Sequence, residues 1–361
     1  MTEFAEAGAL LEAGVNAHAF PAAAVEVGRL AGPIWRQAFG APTYDPYDQA
    51  ISDDTIFDLA SLTKPIAITT LTMRAVDEGI LALDDRIGTR LREWRGADRE
   101  AVTIRDLLAH CSGLPAYLPF FRDHTRRVEF EPAICGVPLE YTPRSRSVYS
   151  DLGFILLGFL LEDARNPSHG SGRHDPAAAL ATQFGRAASF VTPEPLRFNP
   201  PREWRPRTAP TGFDAWRGRT LTGEVHDENA WALGGVAGHA GLFGTAGAVG
   251  AFARAVLGTI AGDGILARTP TQLEFIRRRT DVPHSSRALG WDTMLPTSSC
   301  GTRLSATAIG HTGFTGTSLW IDWERDLYVV LLTNRVHPTR ENNRIRAIRP
   351  ALHDAVVAAV G

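Results

Sequence analysis

The sequence predicts an α/β (α+β) protein of two lobes. An antiparallel sheet flanked by helices is built from both ends of the chain, and a helix-rich lobe is inserted between them. Three observations carry this expectation. β-Rich runs lie near both termini, the strongest helical patterns lie in the middle, and "TSLWIDWERDLYVVLLT" (317–333) reads as a hairpin turned by "DWERD". The 361 residues are read as one domain, residues 1–80 and 275–361 forming the α/β lobe and residues 81–274 the helix and loop lobe.

Residues 3–18 carry Phe4, Leu10, Leu11 and Val15 at helical spacing, which predicts an amphipathic opening helix. "PAAAVEVGRLAGPIWRQAFG" (21–40) is rich in small and β-branched residues with turn signals, and reads as a strand pair. A helix follows from about Ser61 to Gly79, with Gly79 as its stop. "TIRDLLAHCSGLPAY" (103–117) opens with a capping-box variant, Thr103 and Asp106, and its helix is expected to end near Gly113-Leu114-Pro115. "YSDLGFILLGFLLEDA" (149–164) is apolar enough to be a buried helix. Residues 166–220 are dominated by Pro, Gly, Arg and His and read as irregular surface structure. "GGVAGHAGLFGTAGAVGAFARAVLGTIAG" (234–262) is a glycine-rich stretch leading into a helix, and "RENNRIRAIRPALHDAVVAAV" reads as a closing helix.

Lys plus Arg number 37 and Asp plus Glu 40, a net charge of −3, which gives no electrostatic case for nucleic acid or anionic membrane as a partner. No apolar run is long enough to span a bilayer. The N-terminus carries Glu where a secretory signal carries Lys or Arg, so a cytoplasmic location is expected. Cys111, Cys135 and Cys300 include no C-x-x-C pair; the odd count fits reduced thiols, with one disulfide the alternative. No metal and no cofactor are expected.

The stretch "FDLASLTKPIAITTL" (57–71) places Ser61 three residues before Lys64, so both fall on one helix face. A serine hydroxyl needs a base beside it to become a nucleophile. A lysine, whose ordinary pKa is about 10.4, approaches that role when apolar burial disfavours its charge. Pro65 lacks the N–H that would bond the Ser61 carbonyl, so the first turn is expected either to be distorted or to start later. Taken alone, S-x-x-K occurs by chance, and a serine near a helix start is commonly a cap. Two further stretches change the reading: "VYSDLGF", with Tyr149, Ser150 and Asp151, and "GHTGFTGTSLWID", with His311, Thr312 and Gly313 before a strand.

Those three stretches together resemble the motif set of serine β-lactamases and penicillin-binding proteins. The chain is most similar to the branch holding class C β-lactamases, D-amino-acid peptidases and β-lactamase-like esterases. The resemblance covers roughly residues 15–355, and implies the β-lactamase/transpeptidase-like fold. It implies Ser61 as nucleophile, Lys64 as its activating amine and Tyr149 as the phenol relaying a proton to the leaving group. It implies His311, Thr312 and Gly313 as the third motif bordering the site, with the Phe314 N–H as the second oxyanion donor beside that of Ser61. Adjacent residues aim differently on a helix, so Tyr149, not Ser150, is expected to point at Ser61.

Two positions depart from the pattern. Asp151 stands where the family usually has Asn. A carboxylate there favours protonated Lys64, and would pair with it or bind a cationic part of the substrate. His311 stands where lysine is common, and a neutral imidazole attracts a substrate carboxylate less. This tilts the expected substrate toward esters or other uncharged acyl compounds.

Elsewhere, "GEVHDENAWALGG" (223–235) packs His226 and Asp227 into a polar knot that reads as a cap or as a loop at the pocket mouth. Trp204, Trp216 and Trp231 are read as core, with lining of an acyl pocket as the alternative. The expected function is a serine hydrolase acting through an acyl-enzyme on a small-molecule acyl substrate, esterase-like first and β-lactamase or D-peptidase second. A non-catalytic sensor of the same fold is the rival from another class.

Overall fold

The computed structural model describes residues 3–165 and 176–361. The chain opens with α1 (Ala5–Asn16), β1 (Ala22–Arg29), β2 (Gly32–Gly40) and β3 (Phe57–Asp58). A single 3-10 turn (Ala60–Leu62) and a π-helical stretch (Lys64–Thr69) then lead into α2 (Thr70–Asp77). The distortion falls where Pro65 withdraws a backbone donor. Gly79, at φ 69°, ends this helix as expected.

The next elements are α3 (Ile104–Leu108), α4 (Arg126–Cys135), α5 (Asp151–Ala164), α6 (Pro176–Ser189), β4 (Leu196–Phe198), β5 (Phe213–Asp214), β6 (Arg219–Thr220), α7 (Glu228–Ala232), β7 (Leu242–Gly244), α8 (Ala246–Ala261) and α9 (Thr269–Ile276). The chain closes with β8 (Asp292–Thr293), β9 (Ile309–Thr312), β10 (Ser318–Asp322), β11 (Leu327–Thr333) and α10 (Ile345–Val360).

The six-stranded sheet runs β2-β1-β11-β10-β9-β8, so the first strands of the chain pair with the last. Every neighbouring pair is antiparallel. β11 is buried along its whole length because both faces are covered. Tyr328, Val330 and Leu332 face the core that holds α8, while Leu327, Val329 and Leu331 face the core shared with α1 and α10. β9, carrying the third motif, lies between β10 and the edge strand β8 and ends beside the 3-10 turn that carries Ser61. Among the described residues no helix is long and apolar enough to cross a membrane. All three cysteines are free and buried.

Two expectations are corrected. The helix opened by the Thr103–Asp106 capping box does form, but it ends at Leu108, not near Gly113. His110, at φ 55°, turns the chain out of the helix and puts its ring under Tyr149. Residues 166–220 are not uniformly irregular: α6 occupies Pro176–Ser189, a proline-led, alanine-rich segment. "NPSHGSGRHD" (166–175) lies outside the described residues.

Candidate active site

Ser61 sits in the 3-10 turn immediately after Ala60, which adopts φ 47°, a left-handed conformation that costs an alanine about 1 kcal/mol. The kink lifts the Ser61 hydroxyl to the floor of a cavity of about 700 Å³. Lys64, one turn further, is fully buried. Its ammonium donates to Ser61 Oγ at 3.0 Å, to Asp151 Oδ1 at 2.7 Å and to the carbonyl of His239 at 3.1 Å. Those are three acceptors for three N–H bonds. Burial works against the charge, but the Asp151 carboxylate and the Tyr149 oxygen outweigh it, and Lys64 is held above its ordinary value.

α5 delivers the second motif. Its cap is Ser150, whose hydroxyl accepts the Gly153 N–H at 3.4 Å and donates to the Pro115 carbonyl at 2.6 Å, so this serine is committed to the helix start. The Ser150 N–H donates to His110 Nδ1 at 3.0 Å. Asp151 is the first residue of the helix, where a carboxylate also meets the positive end of the dipole. Tyr149 faces the cavity, its ring 4.7 Å from Lys64 Nζ, 4.7 Å from the His110 ring and 5.7 Å from the His311 ring. Among the described residues its buried hydroxyl has no well-formed hydrogen bond, and burial raises its pKa against the pull of Lys64, so it is a neutral phenol at neutral pH.

The third motif closes the opposite wall. His311 Nδ1 meets the Thr312 carbonyl at 2.9 Å, so this nitrogen carries the proton and the buried, unpartnered Nε2 carries the lone pair. Burial, Lys64 and Arg287 together hold His311 well below its ordinary pKa, so the imidazole is neutral. Gly313 is pressed against the segment that carries Ser61: a Cβ there would lie 2.0 Å from Thr317 Oγ1 and 2.7 Å from the Leu59 carbonyl. The turn over Gly313–Gly316 closes with bonds from Gly313 N to Thr317 O (2.7 Å) and from Gly316 N to Gly313 O (3.1 Å), leaving the Phe314 N–H outside this pairing. Arg349 holds the turn from behind by donating to Gly313 O and Thr317 O, and Arg335 donates to Phe314 O. The Phe314 ring is half-exposed at the mouth, stacked on His226.

The polar knot at 223–235 is both a cap and part of the pocket. Asp227 caps α7 through the Ala230 N–H at 2.7 Å, and the same Oδ1 takes the His239 Nε2 proton at 2.7 Å. His226, Asp227 and His239 line the cavity. The His239 interaction holds the Asp227 carboxyl below its usual range despite burial. Through His239, this cap reaches the carbonyl that binds Lys64. The glycines of "GGVAGHAG" let the segment lie against α5: a Cβ on Gly238 would fall 1.8 Å from the Phe154 carbonyl.

Ser61, Tyr149, Asp151, His226, Asp227, His311, Thr312, Gly313 and Phe314 are thus brought to one cavity, with Lys64 beneath its floor. Trp204, Trp216 and Trp231 do not line it; Trp216 and Trp231 form an exposed aromatic patch with Phe121, and Trp204 packs at the edge of the core. Sequence reasoning missed Asp58, Tyr117, His239, Arg287, Arg335 and Arg349, all of which line the cavity. Arg287 lies over the Tyr149 ring at 5.2 Å, and its nearest carboxylate, Asp292, is 4.0 Å away. No local motif marks these positions. Among the described residues no three His, Cys, Asp or Glu side chains converge as metal ligands would.

The sequence and the fold are matched by known proteins. The family model described as Beta-lactamase matches residues 7–353. A curated relative, named putative D-alanyl-D-alanine carboxypeptidase, from Escherichia coli (strain K12), is 30% identical over 339 residues, covering 84% of this chain and 76% of that protein. Among solved structures, a class C beta lactamase from Rhodobacter sphaeroides superposes with a TM-score of 0.74 at 19% identity, covering 99% of both chains. EstCE1, described as a hydrolase with promiscuous acyltransferase activity, superposes with a TM-score of 0.74 at 20% identity, covering 98% of both chains. The fold is that of the β-lactamases and penicillin-binding proteins, and the chain belongs to the beta-lactamase family.

Proposed function

We propose that this serine hydrolase of the beta-lactamase family cleaves esters of small acyl groups through an acyl-enzyme on Ser61. The observation that carries the reading is the Lys64 ammonium bridging Ser61 Oγ and the Asp151 carboxylate. In the resting site Lys64 is charged and is no base. Asp151 is the acceptor at hand: a proton passed from Lys64 to Asp151 leaves a neutral amine 3.0 Å from the serine hydroxyl. That amine takes the hydroxyl proton as Ser61 Oγ bonds to the acyl carbon. The N–H groups of Ser61 and Phe314 receive the developing oxyanion. As the oxyanion collapses, the ester C–O bond breaks and the alkoxide leaves on the Tyr149 side, taking from the phenol a proton that Lys64 replaces. Water then attacks the acyl carbon and gives its proton to the neutral Lys64 amine, and the acid departs as Ser61 regains a proton.

Two features favour esters over amides. An amide nitrogen leaves only when protonated, and the Tyr149 phenol is a weak acid with a raised pKa; an alkoxide leaving group needs less help. The neutral His311 also supplies no charge for a substrate carboxylate.

A second reading, D-alanyl carboxypeptidase activity, is favoured by Arg287. This guanidinium lines the cavity beside Tyr149, is paired only at 4.0 Å, with Asp292, among the described residues, and suits a carboxylate on the leaving group. It agrees with the name of the curated relative.

The test is turnover of p-nitrophenyl acyl esters, a D-alanyl-D-alanine peptide and nitrocefin by wild type and Ser61→Ala. Ester turnover that Ser61→Ala abolishes supports the first reading; peptide turnover exceeding it supports the second. No turnover of any of them, with no fluorophosphonate adduct, favours the non-catalytic sensor.

A further inference from the structure

Asp58 lies three residues before the nucleophile, on β3, and is 2% exposed. It belongs to no motif, yet three segments of the site converge on it. Its Oδ1 accepts the Ala60 N–H at 2.8 Å, and its Oδ2 accepts the His226 N–H at 2.7 Å. Its own carbonyl accepts the Thr315 hydroxyl at 2.7 Å, and the next carbonyl, of Leu59, accepts the Thr317 hydroxyl at 3.0 Å. Among the described residues no Lys or Arg makes an ion pair with it.

We propose that ionised Asp58 is a positioning residue for the reaction: its carboxylate locks Ala60 in the left-handed turn that presents Ser61, and ties that turn to the His226–Asp227 loop across the cavity. A left-handed alanine needs the surrounding structure to over-determine it. Here the bond to Ala60 N–H does so directly. Both carboxylate oxygens face N–H donors. Protonation turns one oxygen into an O–H aimed at an N–H, and one of the two bonds is lost. The turn then relaxes, and Ser61 moves relative to Phe314 and Lys64.

The charged and titratable groups around Asp58 come from several elements. Asp227 lies at the start of α7, His226 immediately before it, and Arg217 between β5 and β6. The third-motif turn contributes uncharged Thr315, with the Arg335 guanidinium behind Phe314. Burial first, then Asp227, raise Asp58 to about 6 against the pull of its two N–H donors and Arg217. Its value in the unfolded chain is about 3.9. With the folded value raised, its contribution to stability is fully present below the unfolded value and is lost as pH rises through about 6. At neutral pH the ionised group therefore weakens the fold. A residue that costs stability where the enzyme works, and that holds the nucleophile's turn, fits a functional role.

The proposal rests on the acyl-enzyme reading, and the experiment separates the two. The rate of Ser61 labelling by a fluorophosphonate is measured between roughly pH 5 and pH 9 for wild type and Asp58→Asn, with thermal unfolding of both at the two ends of the range. The wild-type rate is expected to fall about tenfold per pH unit below an inflection near 6. Asp58→Asn, which keeps one acceptor but sets an NH₂ against an N–H donor, should label about a hundredfold more slowly above that inflection and lack it altogether. Its Tm should match or exceed wild type at the alkaline end. A wild-type profile with no inflection near 6 overturns the proposal without any variant. So does an Asp58→Asn protein that labels within about twofold of wild type, keeps the inflection, or labels slowly only because its Tm has collapsed. Failure of wild type to label at Ser61 at any pH refutes the acyl-enzyme reading itself.

Discussion

The two walls of the cavity are built differently. On the nucleophile wall most polar groups are committed: Lys64 uses all three N–H bonds, Asp227 and His239 Nε2 hold each other, and Ser150 is spent on its helix, while among the described residues the Tyr149 hydroxyl and His239 Nδ1 have no well-formed hydrogen bond. On the facing wall groups are left open. Among the described residues His311 Nε2 has no hydrogen-bond partner and the Arg287 guanidinium has only the Asp292 carboxylate, 4.0 Å away, and Phe314 is half-exposed. Interactions that must hold a reacting geometry are over-determined, and those that meet a variable substrate are left unsatisfied until it arrives.

The comparison breaks most sharply at Ser61. Ser61→Ala should cut ester turnover by about 10³-fold or more while leaving the fold intact, read by steady-state assay and circular dichroism. Gly313→Ala comes next. The added methyl meets Thr317 Oγ1 and the Leu59 carbonyl, so β9 is pushed off the nucleophile turn and kcat should fall about a hundredfold with a smaller change in KM.

Asp151→Asn sharpens the contrast differently, by removing the charge that keeps Lys64 protonated. The Lys64 proton then loses the carboxylate that receives it, so kcat/KM for esters should fall about tenfold or more near neutral pH, read by steady-state assay. Unchanged turnover would show that Asp151 is not the acceptor. Arg287→Ala, on the open wall, should have the smallest effect. A loss of about tenfold in kcat/KM is expected for substrates bearing a leaving-group carboxylate, larger than that for uncharged esters. Equal losses for both would count against a carboxylate contact.

How much of this was legible in the sequence differs by wall as well. The S-x-x-K pair, the Tyr149 motif and the His311 motif each lie within a few residues, and the resemblance they carry joined them. Pro65 announced the distorted turn, and Thr103 with Asp106 announced a helix start. The end of that helix was misplaced because the break comes from a left-handed His110, a residue type with no strong stop signal. α6 was missed because its proline-led start lies beside a Gly- and His-rich run that resembles loop. Asp58, His239 and Arg287 were invisible for a simpler reason: the contacts that bring them into the site join segments far apart in the chain. The Asp58–His226 bond spans 168 residues, and the Lys64–His239 bond spans 175.

The most direct test of the central claim is a crystal structure of the enzyme after reaction with a fluorophosphonate ester. Phosphorus should be bonded to Ser61 Oγ, with the phosphoryl oxygen received by the Ser61 and Phe314 N–H groups and Lys64 Nζ still against Asp151. Phosphorus on any other side chain, or a phosphoryl oxygen turned to solvent away from Phe314, would contradict it.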